Sequence, residues 1–129
     1  MKDLKPTCKI AVVQAAPIMF DKVACTEKAV SLIQECALKN AELIVFPELF
    51  IPGYPYGMTF GFSVGQRTEE GRKDWMLYYR NSILVPGEET RLLGEAAKKA
   101  HAWVSIGVSE RDAVTATLYT SNLGLSPDG

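Results

Sequence analysis

Glu48 is the residue in this chain best placed to do chemistry. It follows the apolar run Leu43-Ile44-Val45-Phe46 and a single proline, Pro47. It therefore lies just past the C-terminal end of a predicted strand, the edge at which open α/β sheets present their functional groups. The neighbouring residues are apolar, and surroundings of that kind disfavour a charged carboxylate and raise its pKa toward the range useful for general acid or base work. Residue types alone favour the other reading, a solvated edge charge, because element edges commonly carry charges.

The other reactive side chains have weaker claims. Cys8, Cys25 and Cys36 make an odd count with no CxxC pair, and His101 is the only histidine, which argues against a disulfide framework or a structural zinc. No metal and no cofactor is expected. Cys8 precedes the first predicted strand and Cys25 and Cys36 lie on the first predicted helix, so each reads as a small, partly buried residue. His101 follows Lys98 and Lys99 at a helix end, where a cation suits the helix dipole and the role is structural. Tyr54, with Phe50, Tyr56, Phe60 and Phe62, has the composition of a substrate-pocket wall. The same aromatics would also serve to pack their loop onto the body.

Positioning Glu48 requires an ordered set of elements. Residues 9–14 form a short β-branched run stopped before Pro17, which predicts a strand. From 22 to 39, Ala29, Val30, Ile33 and Ala37 recur at helical spacing, with Asp21 as N-cap. Asn40 tolerates the left-handed backbone that ends helices. A second strand follows at 43–46, giving strand, helix, strand. Beyond a glycine-rich loop, helices are predicted at about 69–82 and 88–101, the latter with Glu88 and Glu89 at its start and a stripe of Leu92, Leu93, Ala96, Ala97 and Ala100. Strands at 103–109 and 117–125 are joined by a solvated turn at Arg111-Asp112, and Trp75 and Trp103 read as core. These strands are expected in one sheet, with the 22–39 and 88–101 helices on the same face. The final Ser126-Pro127-Asp128-Gly129 is a turn with no strand after it, so 1–129 is expected to be a domain incomplete at its C-terminus.

Composition excludes several classes of partner. The 129 residues are 47% hydrophobic and 22% charged, and 14 Lys plus Arg against 15 Asp plus Glu give a net charge of −1. That is ordinary globular composition, and no basic field is present to attract nucleic acid or anionic lipid. Glycines at 53, 57, 61 and 65 give a GxxxG spacing in an uncharged stretch, but Pro52, Pro55 and several polar residues make it unfit to span a membrane. No apolar run precedes Pro6, so no secretory leader is predicted, and a reducing cytoplasm suits the cysteines.

The segment Ala41-Glu42-Leu43-Ile44-Val45-Phe46-Pro47-Glu48-Leu49-Phe50-Ile51-Pro52-Gly53-Tyr54-Pro55 resembles the first active-site signature of the nitrilases, within the carbon-nitrogen hydrolase superfamily. The blocks Val13-Gln14-Ala15-Ala16-Pro17, Val85-Pro86-Gly87, Ile106-Gly107-Val108-Ser109-Glu110-Arg111, Leu118-Tyr119 and Ser126-Pro127-Asp128-Gly129 follow the family's order over nearly the whole chain. Asn40 departs from the glycine usual at that point, a conservative change at a left-handed helix end.

The resemblance implies the N-terminal portion of an α-β-β-α sandwich and a Glu, Lys, Cys triad, of which only the glutamate maps here, onto Glu48. The lysine and cysteine would fall beyond Gly129. The implied activity is hydrolysis of a small-molecule nitrile to carboxylic acid and ammonia by a protein that assembles as a homo-oligomer when full length. Amide substrates, as in the amidase and carbamoylase branches, are the alternative within the family. A short, non-catalytic binding module is the alternative outside it. The run Phe50-Ile51-Pro52-Gly53-Tyr54-Pro55-Tyr56 resembles nitrilases more than the amide-hydrolysing branches.

Overall fold

In the computed structural model, which describes residues 6–60 and 68–129, the predicted elements all form. They are β1 (Ile10–Val12), α1 (Lys22–Leu38), β2 (Leu43–Val45), α2 (Glu69–Asn81), α3 (Glu88–Ala100), β3 (Trp103–Arg111) and β4 (Leu118–Leu125). Local chemistry sets several of their ends. The Asp21 carboxylate accepts from the Ala24 N–H at 2.9 Å and starts α1, and Asn40 takes the expected left-handed backbone just beyond it, with φ of 59°. His101 also turns left-handed, with φ of 50°, to close α3.

The strands form one sheet in the order β1-β2-β3-β4, parallel across the first three and antiparallel between β3 and β4. α1 and α3 pack together on one face. There Ile44, Val104, Ile106 and Val108 meet Ile33, Ala29, Leu93 and Ala97 in a fully buried core. A further tie joins the helix ends. Lys22 reaches Glu89 at 2.8 Å, and the Lys22 N–H donates to the Asn81 side-chain oxygen at 3.2 Å, so α1, α2 and α3 meet at one junction. Glu89 is almost entirely buried. Lys22→Met is therefore expected to lower stability by about 2 kcal/mol, through a buried carboxylate left without its ammonium partner. Urea unfolding of wild type and variant measures it.

Alternation along the strands puts Ile10, Leu43 and Trp103 in one row and Val12, Val45 and Ser105 in the next, on the face away from α1 and α3. This second face is apolar but open: Val12 is 78% and Trp103 55% exposed. Trp103 is therefore not a core residue. Its strand position points it to the uncovered side. Trp75 is half-buried and stacks on Tyr79, with ring centroids 5.1 Å apart.

Arg111 also differs from expectation. It is the last residue of β3 rather than part of the turn, and its guanidinium lies 5.5 Å over the Tyr79 ring. The turn falls to Asp112, whose carboxylate accepts from the Thr115 and Val114 N–H groups. Those backbone donors, Thr115 first, hold its carboxyl below the usual range. The closing turn at 126–129 forms as expected, with the Gly129 N–H donating to the Ser126 carbonyl. Among the described residues no helix is long and apolar enough to cross a membrane.

Candidate active site

The site begins where β2 runs out while β3 continues. The ladder between them carries on through backbone alone, with the Phe46 N–H donating to the Ser105 carbonyl at 2.8 Å and the Gly107 N–H to the Pro47 carbonyl at 3.3 Å. At Glu48 the chain turns, and Leu49 adopts a left-handed backbone, with φ of 47°. The chain then returns to the same edge of β3. Ile51 donates to the Gly107 carbonyl and accepts from the Ser109 N–H, and further on Ile83 donates to the Ser109 carbonyl and accepts from the Arg111 N–H. One strand edge thus holds three separate segments in register.

Gly107 is what lets the turn sit there. A Cβ on this residue would lie 2.6 Å from the Glu48 Cα, 2.6 Å from the Leu49 nitrogen and 2.7 Å from the Pro47 carbonyl oxygen. All three are backbone atoms, so the turn rests directly on the strand. An isolated glycine inside a strand pattern signals a close backbone approach, and this is the signal by which the residue can be found in the sequence.

The turn sorts its side chains. Leu49 and Phe50 go inward, with Phe50 fully buried edge-on to Phe46 at 5.1 Å, while Glu48 is exposed. The apolar surroundings expected around the carboxylate therefore lie beneath it rather than about it. Beside it an open groove of about 460 Å³ runs along residues 12–16 and 45–47, at the C-terminal ends of β1 and β2. Residues 12–16 were not anticipated as a wall.

The aromatic set divides. Phe50 belongs to the core. Tyr54 is 49% exposed, and its ring lies 6.5 Å from that of Tyr56, itself almost fully exposed. Phe60 packs on Tyr78, as does Phe20. Phe62 lies outside the described residues. Gly53, with φ of +105°, bends the loop where a Cβ would strike the Met19 sulfur at 2.5 Å.

Tyr78, on α2, is the nearby residue that the sequence reading missed. It is only 6% exposed. Burial pushes its phenol up, a hydrogen bond with Ser109 pulls it back, and the charges of Tyr54 and Glu48 push it up further. Its hydroxyl thus lies in the field of Glu48.

The remaining candidates stand apart from Glu48. Cys25 is fully buried on α1, where its thiol donates to the Ile18 carbonyl at 3.0 Å and accepts from the Ile18 N–H at 3.3 Å. Burial pushes that thiol up, against thiolate formation. Cys36 is half-buried and also pushed up by burial. Cys8 is exposed rather than partly buried. It precedes β1 and His101 precedes β3, so both lie at the N-terminal strand edge, opposite Glu48.

A mixed sheet with three parallel strands backed by helices, and a carboxylate and an open groove at the C-terminal ends of those strands, defines an α/β protein of enzyme architecture. Comparison with known proteins gives the family. Residues 9–129 match the carbon-nitrogen hydrolase family, and the chain belongs to it. It is 47% identical over 121 residues to an aliphatic nitrilase of Sinorhizobium fredii, covering 94% of this chain and 39% of that protein. It is 43% identical over 124 residues to a bifunctional nitrilase/nitrile hydratase of Nicotiana tabacum, covering 96% and 35%. The chain thus spans little more than a third of the length of these relatives. Its fold matches that of a carbon-nitrogen hydrolase superfamily protein from Xanthomonas campestris with a TM-score of 0.65 at 16% identity, covering 94% of this chain and 37% of the other.

Proposed function

We propose that the whole protein is a nitrilase, and that this chain, as the first part of its carbon-nitrogen hydrolase domain, supplies the general base, Glu48. The observation that carries this reading is the backbone clamp of Glu48 on Gly107 at the C-terminal strand edge, in a chain that is 47% identical to an aliphatic nitrilase. The nitrilase names of these relatives favour a nitrile over an amide as substrate.

The chemistry needs a carboxylate of this kind. A thiol attacks a nitrile carbon as thiolate, and Glu48 takes its proton while a lysine stabilises the negative charge developing on nitrogen. Protonation of that nitrogen gives a thioimidate, a first water adds to its carbon and the tetrahedral intermediate expels ammonia to leave the thioester, and a second water, activated by the same carboxylate, hydrolyses the thioester to the acid. The relatives' cysteine and lysine, by the resemblance, belong to the length that this chain does not span. Tyr54, half-exposed and six residues past Glu48, is assigned to the substrate-facing wall. The homo-oligomer is what the resemblance implies, and three free cysteines suit a reducing cytoplasm.

Ammonia release from an aliphatic nitrile by the full-length protein tests the proposal, and absence of turnover over a panel of nitriles would overturn it. The 129-residue chain by itself is expected to release none, because a base without a nucleophile cannot open the covalent route. Turnover by that chain above a Glu48→Gln control would place the nucleophile at Cys8, Cys25 or Cys36.

A further inference from the structure

The groove at the C-terminal ends of β1 and β2 has a single polar side chain in its walls. Val12, Ala15, Ala16, Val45 and Phe46 line it with carbon, Pro47 closes it immediately before Glu48, and Gln14 alone among its lining residues carries a polar side chain. Val13 is buried and Gln14 is exposed. Alternation therefore puts Gln14 on the open sheet face with Val12 and Val45, the face on which the Glu48 turn rests against Gly107. The two strands stay joined up to this point, since the Val13 N–H donates to the Val45 carbonyl at 2.8 Å. Gln14 follows the end of β1 as Glu48 follows the end of β2, and the groove occupies that end.

Two properties of these walls select a ligand. No ionisable side chain is among the lining residues, so a charged group brought into the groove gives up water with no counter-ion to replace it. The Glu48 carboxylate, next after Pro47, disfavours an anion further. The Gln14 amide has donor hydrogens and an acceptor oxygen, and it has no hydrogen-bond partner among the described residues. Open to water, it needs none. A ligand that fills the groove shuts that water out, and an amide covered by carbon alone is left unpaired at a cost to binding. A ligand with a hydroxyl on its chain meets the amide instead.

We propose that this groove holds the substrate chain beyond the nitrile carbon, and that Gln14 is its specificity-determining residue, selecting neutral aliphatic nitriles that carry a hydroxyl. This rests on the nitrilase reading and adds the substrate class to it. Val12, Ala15, Ala16 and Val45 take the carbons, Gln14 takes the hydroxyl, and the nitrile lies toward Pro47 and Glu48. No bond is made or broken at Gln14.

Steady-state kinetics of the full-length protein on butyronitrile, β-hydroxybutyronitrile, γ-hydroxybutyronitrile and the anion β-cyanopropionate test the assignment. The better hydroxynitrile is expected to exceed butyronitrile about tenfold in kcat/KM, the size of one hydrogen bond, and β-cyanopropionate is expected to be the poorest of the set. Gln14→Leu is expected to bring the ratio of hydroxynitrile to butyronitrile down to about one. A loss of packing slows both substrates alike and leaves their ratio where it was. An unchanged ratio in Gln14→Leu would therefore overturn the assignment, as would a wild-type enzyme that prefers butyronitrile to both hydroxynitriles or takes β-cyanopropionate best. Should Gln14→Leu fail to fold, Gln14→Met, unbranched and of similar length, carries the same test with the same expected fall in the ratio. Turnover of none of these nitriles defeats the nitrilase reading and this proposal with it, whereas turnover with a ratio indifferent to Gln14 defeats this proposal alone.

Discussion

Glu48→Gln in the full-length protein is expected to lower turnover by about 10²- to 10⁴-fold, toward the upper end because the base acts twice, while the thermal midpoint stays close to wild type. Glutamine keeps the size and hydrogen-bonding capacity of the side chain but cannot take a proton at neutral pH. The turn itself asks nothing of the carboxylate, since Glu48 is exposed and its backbone is what rests on β3. A glutamate that merely sat at the strand edge would give the opposite result, with the rate per folded molecule unchanged. Activity and thermal midpoint measured on one preparation decide between them.

The second large effect is expected from a residue with no side chain. Gly107→Ala puts a Cβ within 2.6 Å of two backbone atoms of the Glu48 turn and 2.7 Å of a third. Backbone bonded on both sides of the clash cannot yield as a flexible side chain would, so the turn must lift. Overpacking of this kind costs about 1–3 kcal/mol. A displacement of about 1 Å at a reacting group costs about 10²-fold in rate, so kcat/KM is expected to fall by that factor in molecules that remain folded. If the whole effect passes through Glu48, adding Gly107→Ala to Glu48→Gln should cost little further activity. A Gly107→Ala enzyme with wild-type kinetics would show that the placement of the turn does not matter to the reaction.

Much of the architecture was legible in local patterns. The apolar runs and helical stripes are strong, and Asp21 and Asn40 mark the ends of α1 as their side-chain chemistry requires. Trp103 was misread for a physical reason. Its residue type is one usually found in cores, but β3 alternates, with Val104, Ile106 and Val108 toward the helices and Trp103 on the other face with Ser105, Gly107 and Ser109. Arg111 was assigned to a turn on its charge, yet β3 extends to it because Ile83 supplies a bonding partner from far away in sequence. The site shows the same division. The position of Glu48 at a strand end follows from neighbouring residues, whereas Gly107 meets its backbone from a strand that only the tertiary fold brings to it.

The three-segment edge of β3 has a consequence during synthesis. β2, Ile51 and Ile83 are all synthesised before β3 exists, so none of them has its partner on β3 while the chain is being made as far as α3. Until Gly107 emerges, the Glu48 turn has no surface to rest on and Phe50 has no finished core to enter. Assembly of this edge is a late closure of long loops, the slow kind of folding step. A translational pause before β3 emerges would hold the apolar segments that have already emerged open to chaperones, proteases or a neighbouring nascent chain, whereas a pause once β3 has emerged would not.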